Sequence, residues 1–365
     1  MKIIHTADIG LGAKFNGYGL AGDKLRAGLK TVFSKIIDYT INEKADLLII
    51  AGNLFDNLEI SRNLQDHIAI ELGRLGQIPA VIIPGTNDKF TDGSFWNAWQ
   101  SLHEQANIHT LTSPLKSHVI IENLDLAVYG IFPSATPAKP SEKAHNPVRQ
   151  QTIYHIGVMC SSIDMAKPAL DKAGMKFDYI ALGGEKSFAD LSPSGLPAAF
   201  PGSPEKLGFD HTGGGIVKVE IDSQKKAKIE QVRLGNFVWR TEEIQAKEII
   251  NNDDLINRIM SIAGSESANT AMQIKLTGLT LFEADLSPEC VYEQLKNEFL
   301  YLDIIDKMKV LPENVSEVKV SEKTLLGQYL KVMANELSAA DEKAKPRLEK
   351  SVRVGLALLQ GREIW

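Results

Sequence analysis

The residues of this 365-residue chain that could do chemistry sit in five short polar loops, four of them directly behind an apolar run and one near the amino terminus. They read His-Thr-Ala-Asp-Ile-Gly (5–10), Gly-Asn-Leu-Phe-Asp (52–56), Gly-Thr-Asn-Asp (85–88), Met-Cys-Ser (159–161) and Leu-Gly-Gly-Glu-Lys (182–186). Carboxylates, amides and a thiol in loops of this kind are donors for a metal ion or a polar ligand. In the second loop, Asn53 and Asp56 are three residues apart, behind the apolar run from Leu47 to Ala51. An aspartate at 53 would complete one half of a two-metal site. Asparagine is neutral, and the site's chemistry turns on that difference.

The elements that must carry these loops alternate. Residues 2–5, 46–51 and 80–83 read as buried strands. Between them, Leu25, Leu29, Val32, Phe33, Ile36, Ile37 and Thr40 fall on one helical face, and Leu64, Ile68, Leu72 and Leu75 fall on another behind a Ser61 cap. That order is a parallel sheet flanked by helices, with its polar loops at the carboxyl ends of strands, where open α/β sheets place ligands. Trp96 and Trp99 lie on a helical turn and are read as packing residues. Short strands are expected at 107–111, 117–121 and 125–132, a loop at 134–147, and strands at 153–159 and 179–182. Residues 188–204, rich in Pro, Ser and Gly, read as irregular, and a hairpin spans 215–234 with its turn at 222–225.

Beyond residues 237–240 the pattern restarts. A helix is expected after Asn252 or Asp253, and alternating Met272, Ile274 and Leu276 make a strand. Ser287-Pro288 opens another helix, and Val315, Val318 and Val320 suggest a further strand. Two amphipathic helices close the chain. Leu325, Leu326, Tyr329, Leu330, Met333 and Leu337 stripe the first, and Leu348, Val352, Leu356 and Leu359 the second. The expected division is a first domain over 1–238, an α/β module over 239–320 and a helical tail over 321–365.

The bulk composition, 44% apolar and 24% charged, is that of a globular protein. A net charge of −6 gives no global attraction to nucleic acid, so a DNA partner would need a local basic patch. Two distant cysteines, Cys160 and Cys290, make neither a disulfide framework nor a zinc motif. No run is long and apolar enough to span a membrane, and a soluble cytoplasmic protein is expected.

The order and spacing of the five loops resemble the calcineurin-like metallophosphoesterase superfamily and, more narrowly, the SbcD-type DNA double-strand-break repair nucleases. In that family the loops read Asp-x-His, Gly-Asp-x-x-Asp, Gly-Asn-His-Asp, a lone His, and Gly-His-x-His. The stretch Phe-Pro-Gly-Ser-Pro-Glu-Lys at 200–206 is similar to a further family loop, and the C-terminal module and tail are similar to the family's capping and tail regions. The resemblance implies an α/β sandwich of two mixed sheets flanked by helices, with a small α/β capping domain and a helical tail. It also implies where this chain departs. Asp8 stands at the first metal-ligand position unchanged. Gly10, Asn53, Thr86, Cys160, Gly184 and Lys186 replace the other ligands, and Asn87 replaces the catalytic histidine. Asp56 and Asp88, which in the family brace loops, are present.

Two dications about 3.5–4 Å apart repel strongly, and a neutral amide at 53 offsets that far less than a bridging carboxylate. Glycines at 10 and 184 supply no ligand atom, and Lys186 would add an ammonium. No cofactor is therefore expected; any metal would be Mn or Mg at a degraded site. His5 is read as a packed, hydrogen-bonded residue, and Cys160 as a poor nucleophile. Lys186 is either a solvated lysine or a partner for Asp8. What the resemblance implies for function is a catalytically silent member of the family. It would act as a structural or regulatory subunit beside an SbcC-like coiled-coil ATPase, with DNA and a second copy of the chain as further partners. Two alternatives stand beside it: a phosphodiesterase with a rebuilt or mononuclear site around Asp8, Asn53, Asn87, Asp88 and Cys160, and a phosphate- or nucleotide-binding module using Lys186, Thr86 and Asn87.

Overall fold

A computed structural model describes residues 1–19, 21–91, 95–96, 99, 107–112, 116–132, 151–165, 176–210, 213–278, 280, 286–308, 321 and 323–359. The expected loop at 134–147 and the strand through Val315, Val318 and Val320 lie outside the described residues. The chain divides into two compact units, Met1–Trp239 and Arg240–Trp365.

In the first unit, β1 (Lys2–Thr6), β2 (Leu47–Ala51), β3 (Ala80–Ile83) and β4 (Ile108–Thr110) run parallel. The hairpin of β11 (Gly215–Ile221) and β12 (Ala227–Arg233) adds antiparallel to β1, giving the order β12-β11-β1-β2-β3-β4. The second six-stranded sheet is made of β5 (His118–Ile121), β6 (Leu126–Gly130), β7 (Tyr154–Cys160), β8 (Tyr179–Gly183), β9 (Ala189–Asp190) and β10 (Ala198–Phe200), in the order β5-β6-β7-β8-β10-β9. Its centre, from β6 to β10, is parallel, and its two edge strands are antiparallel.

Both faces of the first sheet are covered, which is why β2 reads as an unbroken apolar run. One face carries Ile4, Leu48, Ile50 and Ile82 against α1 (Ala21–Asn42) and α2 (Arg62–Gly73). The helical stripe from Leu25 to Thr40 is buried as its periodicity requires, and Ser61 caps α2 by accepting from the Leu64 amide at 3.4 Å. The other face carries Ile3, Leu47, Ile49 and Val81 against Val128, Ile156, Val158 and Ala181 of the second sheet. Trp96 and Trp99 are buried in the helix-side core beside Phe55 and Phe95.

The two sheets converge on small residues where the polar loops begin. A Cβ added to Gly183 would overlap the Ala51 carbonyl oxygen and lie 2.8 Å from Ala7 Cβ. A Cβ on Gly52 would overlap Cys160, and one on Gly85 would overlap the Asn53 side chain. A third anchor lies farther on. Glu205, fully buried, accepts from the Asn236 backbone (2.8 Å), the Asn236 side-chain amide (2.8 Å) and the Phe237 backbone (3.1 Å).

In the second unit, β13 (Val238–Gln245), β14 (Thr270–Thr277) and β15 (Tyr301–Asp306) form a three-stranded sheet in which β14 and β15 are parallel. Leu255 and Ile259 of α3 (Asn252–Ala263) and Val291 and Leu295 of α4 (Pro288–Leu295) close its core. The cap of α3 is Asn251, which accepts from the Asp254 amide at 2.9 Å, so the helix begins one residue before the expected start. The expected Ser-cap and Pro start hold for α4. The last two helices, α5 (Leu325–Ala339) and α6 (Lys345–Leu359), pair through Leu330, Ala334 and Val352, with Tyr329 donating to the Ser351 carbonyl at 3.1 Å.

The structure is therefore an α/β fold of two mixed sheets with helices, plus a small sheet and C-terminal helices. It contains strands the sequence pattern did not show. β9 and β10 lie within the Pro/Ser/Gly stretch at 188–204, and β13 and β15 flank the expected β14. Among the described residues, no helix is long and apolar enough to cross a membrane.

Candidate functional site

Asp8 follows β1, Asn53 follows β2, residues 85–88 follow β3, Cys160 ends β7, and Gly184 follows β8. The parallel order of these strands brings the five loops to one end of the sandwich. Asp8 and Asn53 both hold left-handed backbone, at φ 53° and 52°, a conformation that short polar side chains tolerate better than most. The first two loops are laced together along the backbone: Asp8 N–H donates to Gly52 O (3.0 Å), Gly10 N–H to Asn53 O (3.1 Å) and Leu11 N–H to Leu54 O (2.9 Å).

At the centre lies the Asn53 side chain, 5% exposed. Its amide nitrogen donates to Asp8 Oδ1 at 2.6 Å and stands 3.7 Å from Cys160 Sγ. Its oxygen accepts from the Asn87 backbone N–H at 2.9 Å. The other Asp8 oxygen accepts from the Gly184 backbone N–H at 2.8 Å. Asp88 is fully buried and faces the chain itself, accepting from Gly85 N–H (2.6 Å) and Phe55 N–H (3.1 Å), while its own carbonyl accepts from the Trp96 indole. This is the loop-bracing role expected of it. The Asp56 side chain accepts from the Asn57 side-chain amide at 3.4 Å.

Burial pushes the Asp8 carboxyl up to about 6. The Asn53 and Gly184 hydrogen bonds oppose this, and the Asp88 and Glu185 charges add to it. Burial also raises Asp88. The Cys160 thiol is pushed up by burial and then by the Asp8 and Asp88 charges, which disfavours the thiolate and makes it a poor nucleophile. His5 is fully buried beside the Tyr179 hydroxyl at 2.9 Å, and burial holds its pKa down to about 3. It is a neutral packing residue, as its place inside a strand suggests.

The remaining sequence candidates lie at the rim. Thr86, Asn87 and Lys186 are exposed. Lys186 makes no ion pair with Asp8 within 4 Å, and its carbonyl accepts from Ser203 N–H at 3.2 Å. Of the two readings of Lys186, the structure fits the solvated lysine, because Asp8 already has two donors. Gly10 and Gly184 hold φ of +67° and +101°. Around Gly10 there is open space, but a Cβ on Gly184 would lie 3.0–3.1 Å from the Ser161 backbone.

These donors do not fit a pair of Mn²⁺ or Mg²⁺ ions. Hard dications require several anionic or imidazole donors that are free to bind. Here the carboxylates Asp8 and Asp88 each already accept two N–H donors, Cys160 offers a soft sulfur in place of an oxygen or imidazole, and residue 53 is neutral. Among the described residues, no group of three His, Cys, Asp or Glu is placed to hold a metal ion. An anion fares no better. The Asn87 and Gly184 amides that could cradle a phosphate already donate inside the cluster, and Asp8, Asp88 and Glu185 make the surroundings electronegative.

The residues of this cluster are legible in the sequence; their bonding is not. The glycines at 52, 85 and 183, which let the loops approach so closely, were visible only as loop punctuation.

Comparisons with known proteins agree with this geometry. The calcineurin-like phosphoesterase family matches residues 1–151, which include the loops of Asp8, Asn53 and Asp88. The uncharacterized metallophosphoesterase YhaO of Bacillus subtilis (strain 168) is 23% identical over 279 residues, 71% of this chain and 66% of that protein, so the match spans just under two thirds of the relative's length. The crystal structure of TT1561 of Thermus thermophilus is 11% identical, with 64% of this chain and 99% of that one covered at a TM-score of 0.39, too low to bear on fold or function. Two mixed sheets carry the five strand-end loops, and residues 1–151, the part that bears the loops of Asp8, Asn53 and Asp88, are similar to the calcineurin-like phosphoesterase family.

Proposed function

We propose that this protein is a catalytically silent, SbcD-like member of the calcineurin-like metallophosphoesterase superfamily. It serves as a structural or regulatory subunit beside an SbcC-like coiled-coil ATPase in DNA repair in the cytoplasm. The observation that carries the silent part is the Asn53 side chain. A neutral amide stands at the bridging position, with its nitrogen on Asp8 and its oxygen on the Asn87 backbone. A nuclease of this family needs a metal-activated water between two cations, and the neighbouring donors here are committed to one another.

The subunit role is supported by the C-terminal helix pair. Leu325, Val332, Val354, Leu358 and Leu359 are exposed on helices that bury Leu330, Ala334 and Val352 between them. Tyr329 lies against Ser351 and Gly355 of the other helix. An amphipathic partner helix is suited to such a ribbon.

The test is turnover. The full chain, supplied with Mn²⁺ and either a DNA duplex or an aryl phosphodiester, is expected to hydrolyse no faster than its Asp8→Ala variant. Metal-dependent hydrolysis that disappears in Asp8→Ala would overturn the proposal and favour the rebuilt mononuclear site.

A further inference from the structure

We infer that the Asn53 carboxamide is a structural cross-link that replaces a metal centre, tying together the loops after β1, β3 and β7 so that the site is stable with no ion bound. The inference rests on the metal-free reading above and goes beyond it, because it gives the site a present role rather than a lost one.

Three observations support it. First, the bonding is reciprocal and nearly complete. The amide nitrogen reaches Asp8 at 2.6 Å and lies near Cys160 at 3.7 Å, and the oxygen takes the Asn87 N–H at 2.9 Å. These partners are 45, 107 and 34 residues away in sequence, so one side chain closes three long loops. Second, the amide does what an ion would otherwise do for the buried carboxylate. A buried charge needs partners, and Asp8 receives two donors, from Asn53 and from Gly184, without a cation. Third, the loop at 184 no longer has room for a ligand. A side chain at 184 would press on the Ser161 backbone at a φ of +101°. A histidine therefore cannot be restored at 184 without moving the loop whose Gly184 N–H donates to Asp8.

The prediction separates this from plain loss of function. Thermal melts of the full chain would compare wild type, Asn53→Ala and Asn53→Asp, each in chelator and in excess Mn²⁺. Wild type should melt at the same temperature in both media. Asn53→Ala, which leaves the Asn87 amide and one Asp8 oxygen without partners, should melt about 5–10 °C lower. Asn53→Asp, which sets two carboxylates together, should melt at least as low, with no recovery in Mn²⁺. Recovery of Asn53→Asp by Mn²⁺, or an Asn53→Ala variant as stable as wild type, would overturn the cross-link while leaving the silent reading intact. A wild-type melt raised by Mn²⁺ would instead overturn the silent reading itself. If the variants fail to fold, amide exchange on wild type in chelator decides. The Asn87 N–H should be protected although its residue is exposed, and exchange at the rate of an open loop would contradict the cross-link.

Discussion

Adding one methyl group at Gly183 is expected to destabilise the N-terminal unit by about 3–5 kcal/mol, above the usual range for an overpacked core. Gly183 ends β8 at the point where the second sheet meets the first. The new Cβ would overlap the Ala51 carbonyl oxygen and crowd Ala7 Cβ at 2.8 Å. Neither obstacle is a flexible side chain. The carbonyl belongs to β2, pinned between β1 and β3, so relief requires the sheets to part where they carry the site. For a unit of this size the loss corresponds to about 6–20 °C in melting temperature, read by calorimetry on Gly183→Ala. Gly17→Ala is the control. Nothing lies within 4 Å of its added Cβ, and its melt should stay within about a degree or two of wild type. A Gly183→Ala melt equally close to wild type would show that the two sheets do not meet as described.

Glu205→Ala should cost a similar amount, about 3–5 kcal/mol, for a different reason. The carboxylate is fully buried and takes three N–H donors from Asn236 and Phe237. Truncation leaves the part-buried Asn236 and Phe237 backbone N–H groups without this acceptor, while the Asn236 side-chain amide keeps the Gly28 carbonyl at 3.0 Å, and each such loss costs about 1–3 kcal/mol before any relaxation. The loop it holds carries Phe237, whose ring lies over Gly28 of α1 so closely that a Cβ there would lie 2.6 Å from the ring's Cζ. Glu205→Gln keeps the shape and one acceptor and should lose markedly less. Equal melts for the alanine and glutamine variants would show that the carboxylate does not anchor this segment.

Much of the fold was legible because its strands and helices announce themselves by burial on both sides or on one stripe. β2 is five apolar residues between turns, and α1 repeats apolar residues from Leu25 to Thr40. Other strands left no such trace. β10 is three residues, Ala198–Phe200, set among prolines and glycines, and it exists because β8 offers it a parallel edge. β13 carries Arg240, Glu242 and Glu243 in its middle, with only Trp239 and Ile244 buried. Tertiary pairing decided both, and local pattern could not.

The site divides in the same way. That residue 53 is a neutral amide where a carboxylate would bridge two ions is written in the sequence. That its amide would turn to Asp8 and the Asn87 backbone is not, because those partners come from loops brought together only by strand order. The same geometry explains why Lys186 is left in solvent. Once Asn53 and Gly184 donate to Asp8, the carboxylate has no need of an ammonium, and the Lys186 side chain has no buried charge to answer.

The central claim is that this site is held by hydrogen bonds and takes up no metal. The most direct test is metal stoichiometry: the purified full chain is equilibrated with excess Mn²⁺, freed of unbound ion and measured by elemental analysis. The account predicts far less than one equivalent of metal per chain, with no difference between wild type and Asp8→Ala. One or two equivalents in wild type, lost in Asp8→Ala, would contradict it.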